Sequence, residues 1–120
     1  MKPLLTVSAL IEAPTGLAFL AVPALVFRHL FGAEISEGSL PLARLAGVAL
    51  LALGVACWRA TREAEGGGAR AVVAAMLLYN LGAVVIFAMS GLKPSAGLAV
   101  WPAAVLHAGM AVWCGKSLLK

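Results

Sequence analysis

The sequence predicts an all-α protein, a four-transmembrane-helix up-down bundle forming a single integral membrane domain over residues 1–120. Two observations carry that prediction. Hydrophobic residues make up 62% of the chain and charged residues only 12%, against roughly 45–50% apolar and about 25% charged in ordinary soluble domains. The apolar residues also gather into four runs of the length a helix needs to cross about 30 Å of hydrocarbon. These spans are expected at about residues 4–27, 42–58, 71–89 and 97–115. Short links between them favour antiparallel neighbours.

The first span follows Lys2 and opens with "PLLTVSALI". A cleaved leader is the competing reading. The apolar character runs on to Phe27, however, and no A-x-A site closes it, so a retained span is expected. Glu12 and Pro14 interrupt this segment. Ser8, Glu12, Thr15, Gly16, Phe19 and Pro23 recur at three- and four-residue spacing and share one face, while Leu10, Leu17, Leu20 and Ala21 lie on the others. Pro14 and Pro23 each remove an amide donor and are expected to free the carbonyls of Leu10 and Phe19. Pro14 near a helix start offers a different reading, in which the helix begins there and Glu12 caps it at the interface.

The link "RHLFGAEISEGSLPLAR" carries glycine, serine, proline and charge, and Arg44 is expected to pair there with Glu34 or Glu37. In the second span Ala43, Gly47, Gly54 and Cys57 recur with Leu50. Small residues mark helix–helix contact in lipid, because lipid supplies no hydrophobic drive between helices. Next comes "RATREAEGGGAR", a solvated link, and then the third span with Tyr79 and Asn80. After "SGLKPS" the fourth span repeats the small-residue pattern with Ala103, Ala104, His107, Ala111 and Cys114. The two small-residue faces are expected to form the seam of the bundle. Trp58 and Trp113 suit one interfacial belt and Trp101 the other.

The formal charge is +4, from nine Lys or Arg against five Glu. No basic cluster interleaved with aromatics suggests nucleic acid. The cations instead report orientation: Lys2, Arg59, Arg62, Arg70, Lys116 and Lys120 fall on one side, and Arg28, Arg44 and Lys93 on the other. The excess favours cytoplasmic termini. Cys57 and Cys114 form no CxxC or Cys/His ligand spacing, so no metal is expected. A reducing compartment makes them small buried hydrophobes. A haem lacks a second axial histidine at the depth of His107, and no cofactor is identified.

The chemistry is expected at mid-bilayer. At about 1.5 Å per residue, Glu12 lies about 12 Å beyond Leu4, Asn80 about 14 Å beyond Ala71 and His107 about 12 Å from Gly115, all measured from the same side. An intramembrane ionisable group is costly and usually faces the bundle interior. Glu12, Thr15, Tyr79, Asn80 and His107 are therefore the candidate ligand-binding residues, with Glu12 within reach of Asn80 or His107.

The stretch "RLAGVALLALG", with "EAPTGLAFLAVP" before it, resembles the small bacterial four-helix proteins grouped around DoxX. The resemblance implies a multi-pass protein of the bacterial inner (cytoplasmic) membrane, and some members of that group are associated with quinone-linked redox systems. It carries no catalytic residue onto this chain. Three functions fit the residues. One is binding of a small hydrophobic or amphipathic molecule, lipid or quinone-like, at the mid-bilayer polar site. The second is an accessory subunit of a larger membrane complex. The third is an acid–base enzyme of isomerase type, or a small proton-coupled transporter built as a homo-oligomer.

Overall fold

A computed structural model describes all 120 residues as five α-helices and one 3₁₀ turn, with no strand. Helix α1 spans Lys2–Ala21, α2 Pro23–Phe31, α3 Leu40–Ala60, α4 Gly67–Gly91 and α5 Val100–Leu119. The 3₁₀ turn, Thr61–Glu63, extends α3. Three of these segments, Lys2–Ala21, Leu40–Glu63 and Gly67–Gly91, are long and apolar enough to cross a membrane. The fourth expected span, α5, has 20 residues, but Pro102, His107 and Lys116 lower its hydropathy and it is not among the three.

The first expected span is two helices rather than one over residues 4–27. Pro23 cannot donate to the Phe19 carbonyl, and its ring bars the residue before it from helical geometry. Val22 accordingly sits at φ −135°, ψ 54°, and α2 restarts with Pro23 in its first turn. Pro14 does not break α1, which runs through it from Lys2. The reading of Glu12 as a helix cap therefore fails: the helix starts three turns earlier and Glu12 is 2% exposed. Pro14 and Leu10 lie on the outer surface, so the Leu10 carbonyl adds no acceptor to the interior.

Two close helix pairs make up the bundle, α1 with α3 and α4 with α5. Small residues bring α1 and α3 into backbone contact. A Cβ on Gly16 would stand 2.6 Å from the Gly47 carbonyl oxygen and 2.6 Å from the Leu51 nitrogen, and one on Gly54 would stand 2.8 Å from the Ala13 nitrogen. The buried face of α3 is Ala43, Gly47, Gly54 and Cys57, the set its spacing marks. It receives α1, however, rather than the small face of α5, which packs chiefly on α4. The seam is thus two seams, and the helix pairs diverge between them.

One end of the bundle holds the start of α1, the end of α3, the start of α4 and the end of α5. Leu4, Leu5, Cys57, Val73, Met76 and Cys114 close it as a fully packed core, and Arg70 donates to the Leu118 carbonyl at 2.7 Å across it. Both cysteines are free and buried there. At the other end α2 docks on the α4–α5 link, where the Ala99 amide donates to the His29 carbonyl at 2.9 Å. Gly32 ends α2 in the left-handed region, φ 65°, a conformation that costs glycine little. Glu34 pairs with Arg28 at 2.6 Å and not with Arg44, because the turn after α2 carries it back over the last turn of that helix.

Large apolar side chains, among them Leu10, Leu17, Leu45, Leu78, Val85 and Val105, are exposed over the outside of every long helix. Such a surface exceeds what a soluble monomer shows and suits a membrane protein.

Candidate functional site

The divergence of the helix pairs leaves a cavity of about 750 Å³. Its walls are apolar: Phe19 from α1, Leu25 and Val26 from α2, Leu50 from α3, Phe87 from α4 and Leu106 from α5. Ala46 and Ala49 on α3 face it, as do Ala99 and Ala103 near the start of α5. These short side chains are what leaves the space open. Ala103, expected in a seam, is half-buried on this wall instead. Val22, Leu25 and Leu106 line the cavity and are also about half exposed. Its opening therefore lies beside α2 and α5, on the apolar outer surface.

Polar groups collect where the cavity meets the packed core. Glu12, Thr15, Tyr79 and His107 all line it. Helix α1 brings Glu12 and Thr15 to the same face as buried Ser8 and Gly16. Helix α4 carries Tyr79, and α5 carries His107 about two turns from its start. Tyr79 and Glu12 line the cavity together, and the Tyr79 ring stands T-shaped to the His107 imidazole, with centroids 5.5 Å apart. Phe87 flanks the same imidazole at 5.4 Å.

Asn80 stands behind this surface. It is 0% exposed and is not on the cavity wall. Its Nδ2 donates to the Met76 carbonyl at 2.7 Å, and its Oδ1 lies 2.7 Å from His107 Nδ1. Asn80 therefore holds the His107 ring from behind, one layer back from the cavity surface. Glu12 bonds to neither of them, contrary to the expectation from depth alone; its neighbour is Tyr79. The Thr15 hydroxyl donates back to the Ile11 carbonyl at 2.6 Å, which leaves its oxygen lone pairs toward the cavity but commits its proton to the helix. Ser8, one turn below Glu12, is fully buried and its hydroxyl makes no hydrogen bond.

The aromatic and alanine walls were not legible as a site. Phe19 shares its helix face with Glu12 and Thr15, but Phe87 looks like any apolar residue of a span. The remaining signal was the recurrence of short side chains at Ala46, Ala49, Ala99 and Ala103, which reads equally as close packing. His29 also borders the cavity, near the far end; its Nδ1 lies 2.8 Å from the Leu25 carbonyl.

The arrangement can hold an elongated apolar body with one polar end. Apolar walls with a few convergent polar groups, in a volume between roughly 300 and 1,000 Å³, are the usual form of a small-molecule site. Comparison with protein-family models, with curated proteins and with solved structures gives no match.

Proposed function

We propose that this chain is a four-span membrane protein, with both termini cytoplasmic, that binds a small hydrophobic or amphipathic molecule of lipid or quinone-like character. The carrying observation is the cavity itself, apolar along its walls, with Glu12, Thr15, Tyr79 and His107 gathered at its inner end, His29 the one further polar side chain at the far end, and open on an apolar surface. A ligand dissolved in the bilayer reaches such an opening without crossing water.

Several features support the membrane arrangement. The molecule is 43 Å along its longest axis, close to the roughly 40–45 Å of a bilayer with its headgroups. Helix α5, at 20 residues, is about 30 Å long, and its histidine turns inward. The excess of Lys and Arg belongs to the end that carries both termini, which favours the cytoplasm for that end. The resemblance to DoxX-like proteins is consistent with a bacterial inner membrane.

Orientation is tested by cysteine labelling. Single cysteines at Ala64 and Ser36, in a background where Cys57 and Cys114 are fully buried, are expected to react from opposite sides, Ser36 from outside. Reaction of both from one side would remove the four-span arrangement.

Ligand binding is tested by filling the space. Ala103→Trp places an indole in the cavity without touching the packed core at the other end. The purified wild-type protein is expected to retain an extractable lipid-soluble molecule, identified by mass spectrometry, and the variant to lose it while keeping its helical content. Equal retention by both, or an empty wild-type protein that binds no lipid-soluble probe, would defeat the proposal.

A further inference from the structure

The chain of hydrogen bonds from Met76 through Asn80 to His107 sets which hydrogen-bonding partner the cavity accepts. Asn80 Nδ2 donates to the Met76 carbonyl at 2.7 Å, so the amide oxygen faces the imidazole. The inverted amide would set two oxygens against each other at that distance, which fixes the assignment. Oδ1 accepts only, and it lies 2.7 Å from His107 Nδ1. The hydrogen must therefore sit on Nδ1.

The other ring nitrogen follows from this. No carboxylate hydrogen-bonds the ring, whose neighbours are the aromatic rings of Tyr79 and Phe87, and His107 is 7% exposed. A cation there would have no bonded counter-charge, so the ring is neutral. Nε2, across the ring from Asn80, then carries a bare lone pair; it is not sealed in the core, since Ser8 Oγ is the one fully buried side-chain polar atom without a hydrogen bond, and His107 lines the cavity. The Tyr79 hydroxyl can both donate and accept. Nε2 can only accept, and no protein donor bonds to it.

We propose that the cavity selects apolar molecules whose polar end carries a hydroxyl hydrogen, an alcohol or phenol head donated to His107 Nε2, over molecules of the same shape whose polar end can only accept. The proposal rests on the binding reading above and narrows its ligand class. An ether or ester oxygen brought to the same place sets lone pair against lone pair and leaves a buried acceptor unpaired, which is the more costly half of a hydrogen-bond exchange.

The test uses the full chain in lipid nanodiscs and two probes that differ by one methyl group, para-octylphenol and para-octylanisole. The phenol is expected to bind on the order of tenfold tighter or more, the size of one buried hydrogen bond against an unpaired acceptor. Nitrogen NMR of labelled histidine, with His29→Gln used to assign the signals, is expected to show a protonated Nδ1 and a bare Nε2 whose resonance moves when the phenol binds. His107→Leu is expected to bind both probes alike, because the apolar walls remain. Equal affinities in the wild-type protein would overturn the selection while leaving the cavity a binding site. So would a proton on Nε2 in the unliganded protein, or a phenol preference that survives His107→Leu. Failure of both probes to bind would overturn the binding reading as well. The wild-type measurements decide the matter even if the leucine variant does not fold.

Discussion

Replacing Gly16 by valine is expected to separate α1 from α3 and to cost the protein most of its stability. The added Cβ would stand 2.6 Å from the Gly47 carbonyl oxygen, 2.6 Å from the Leu51 nitrogen and 3.1 Å from the Leu51 Cα. All three are backbone atoms, so no side chain can rotate away. Overpacking a well-filled interior costs about 1–3 kcal/mol and sometimes more. A backbone obstacle puts this site at or beyond the upper end, about 3 kcal/mol. The reciprocal contact, a Cβ on Gly47 at 2.8 Å from the Gly16 carbonyl oxygen, predicts the same of Gly47→Val. Gly82 is the control: nothing lies within 4 Å of a Cβ placed there, so Gly82→Val should stay at or slightly above wild type, because valine has the higher helix propensity of the two. Unfolding in graded detergent mixtures measures the series. Gly16→Val as stable as Gly82→Val would show that the two helices are not held by backbone contact.

The same glycines show where the sequence speaks clearly. Ala43, Gly47, Gly54 and Cys57 recur at spacings that only one helix face can satisfy, and those four are the residues α3 buries. The face of Ser8, Glu12 and Gly16 on α1 is equally plain, because a carboxyl and two small residues have no reason to meet lipid. Which face meets which is another matter. Small residues state that something comes close, not what does. The expectation that the faces of the second and fourth spans meet each other missed that α1 fits the groove of α3. The break at Pro23 rather than Pro14 was ambiguous for a similar reason. Both prolines remove one amide, and only packing decides which gap is widened: Pro14 faces outward on a helix held along its length by α3, while Pro23 opens a helix that leans across to the α4–α5 link. The cavity was least legible. It is space left by short side chains on diverging helices, and absent atoms have no periodicity.

Depth counting brought Glu12, Asn80 and His107 to one level, but it does not resolve which pair bonds, because each helix can present two neighbouring positions there. Asn80 and Tyr79 are successive residues of α4, about 100° apart around it. One turns to His107 from behind and the other turns to the cavity beside Glu12. The consequence is that truncating Glu12 should not orphan the other two, whereas truncating Asn80 should.

Asn80→Leu is expected to destabilise the protein by about 1–3 kcal/mol, the cost of leaving a buried donor, His107 Nδ1–H, without its acceptor. The leucine is close to the amide in size, so a cavity contributes little to the change. His107→Leu alone is expected to cost a similar amount, since it strips the acceptor Asn80 Oδ1 of its donor while Nδ2 keeps the Met76 carbonyl. The double variant, with both polar partners gone, should cost much less than the sum of the two, because apolar replacement of a whole hydrogen-bonded pair can be nearly neutral. Glu12→Leu combined with Asn80→Leu should instead be close to additive, since no bond joins those residues. Beyond stability, Asn80→Leu should release the imidazole to carry its hydrogen on either nitrogen, so that Nε2 no longer presents a lone pair alone and the advantage of para-octylphenol over para-octylanisole falls toward unity. A variant set in which Asn80→Leu costs under about 0.5 kcal/mol, a value near the scatter of additive cycles, or in which the Asn80 and His107 penalties simply add, would mean that the amide does not hold the ring. The selectivity of the cavity would then have to come from Tyr79 and Glu12.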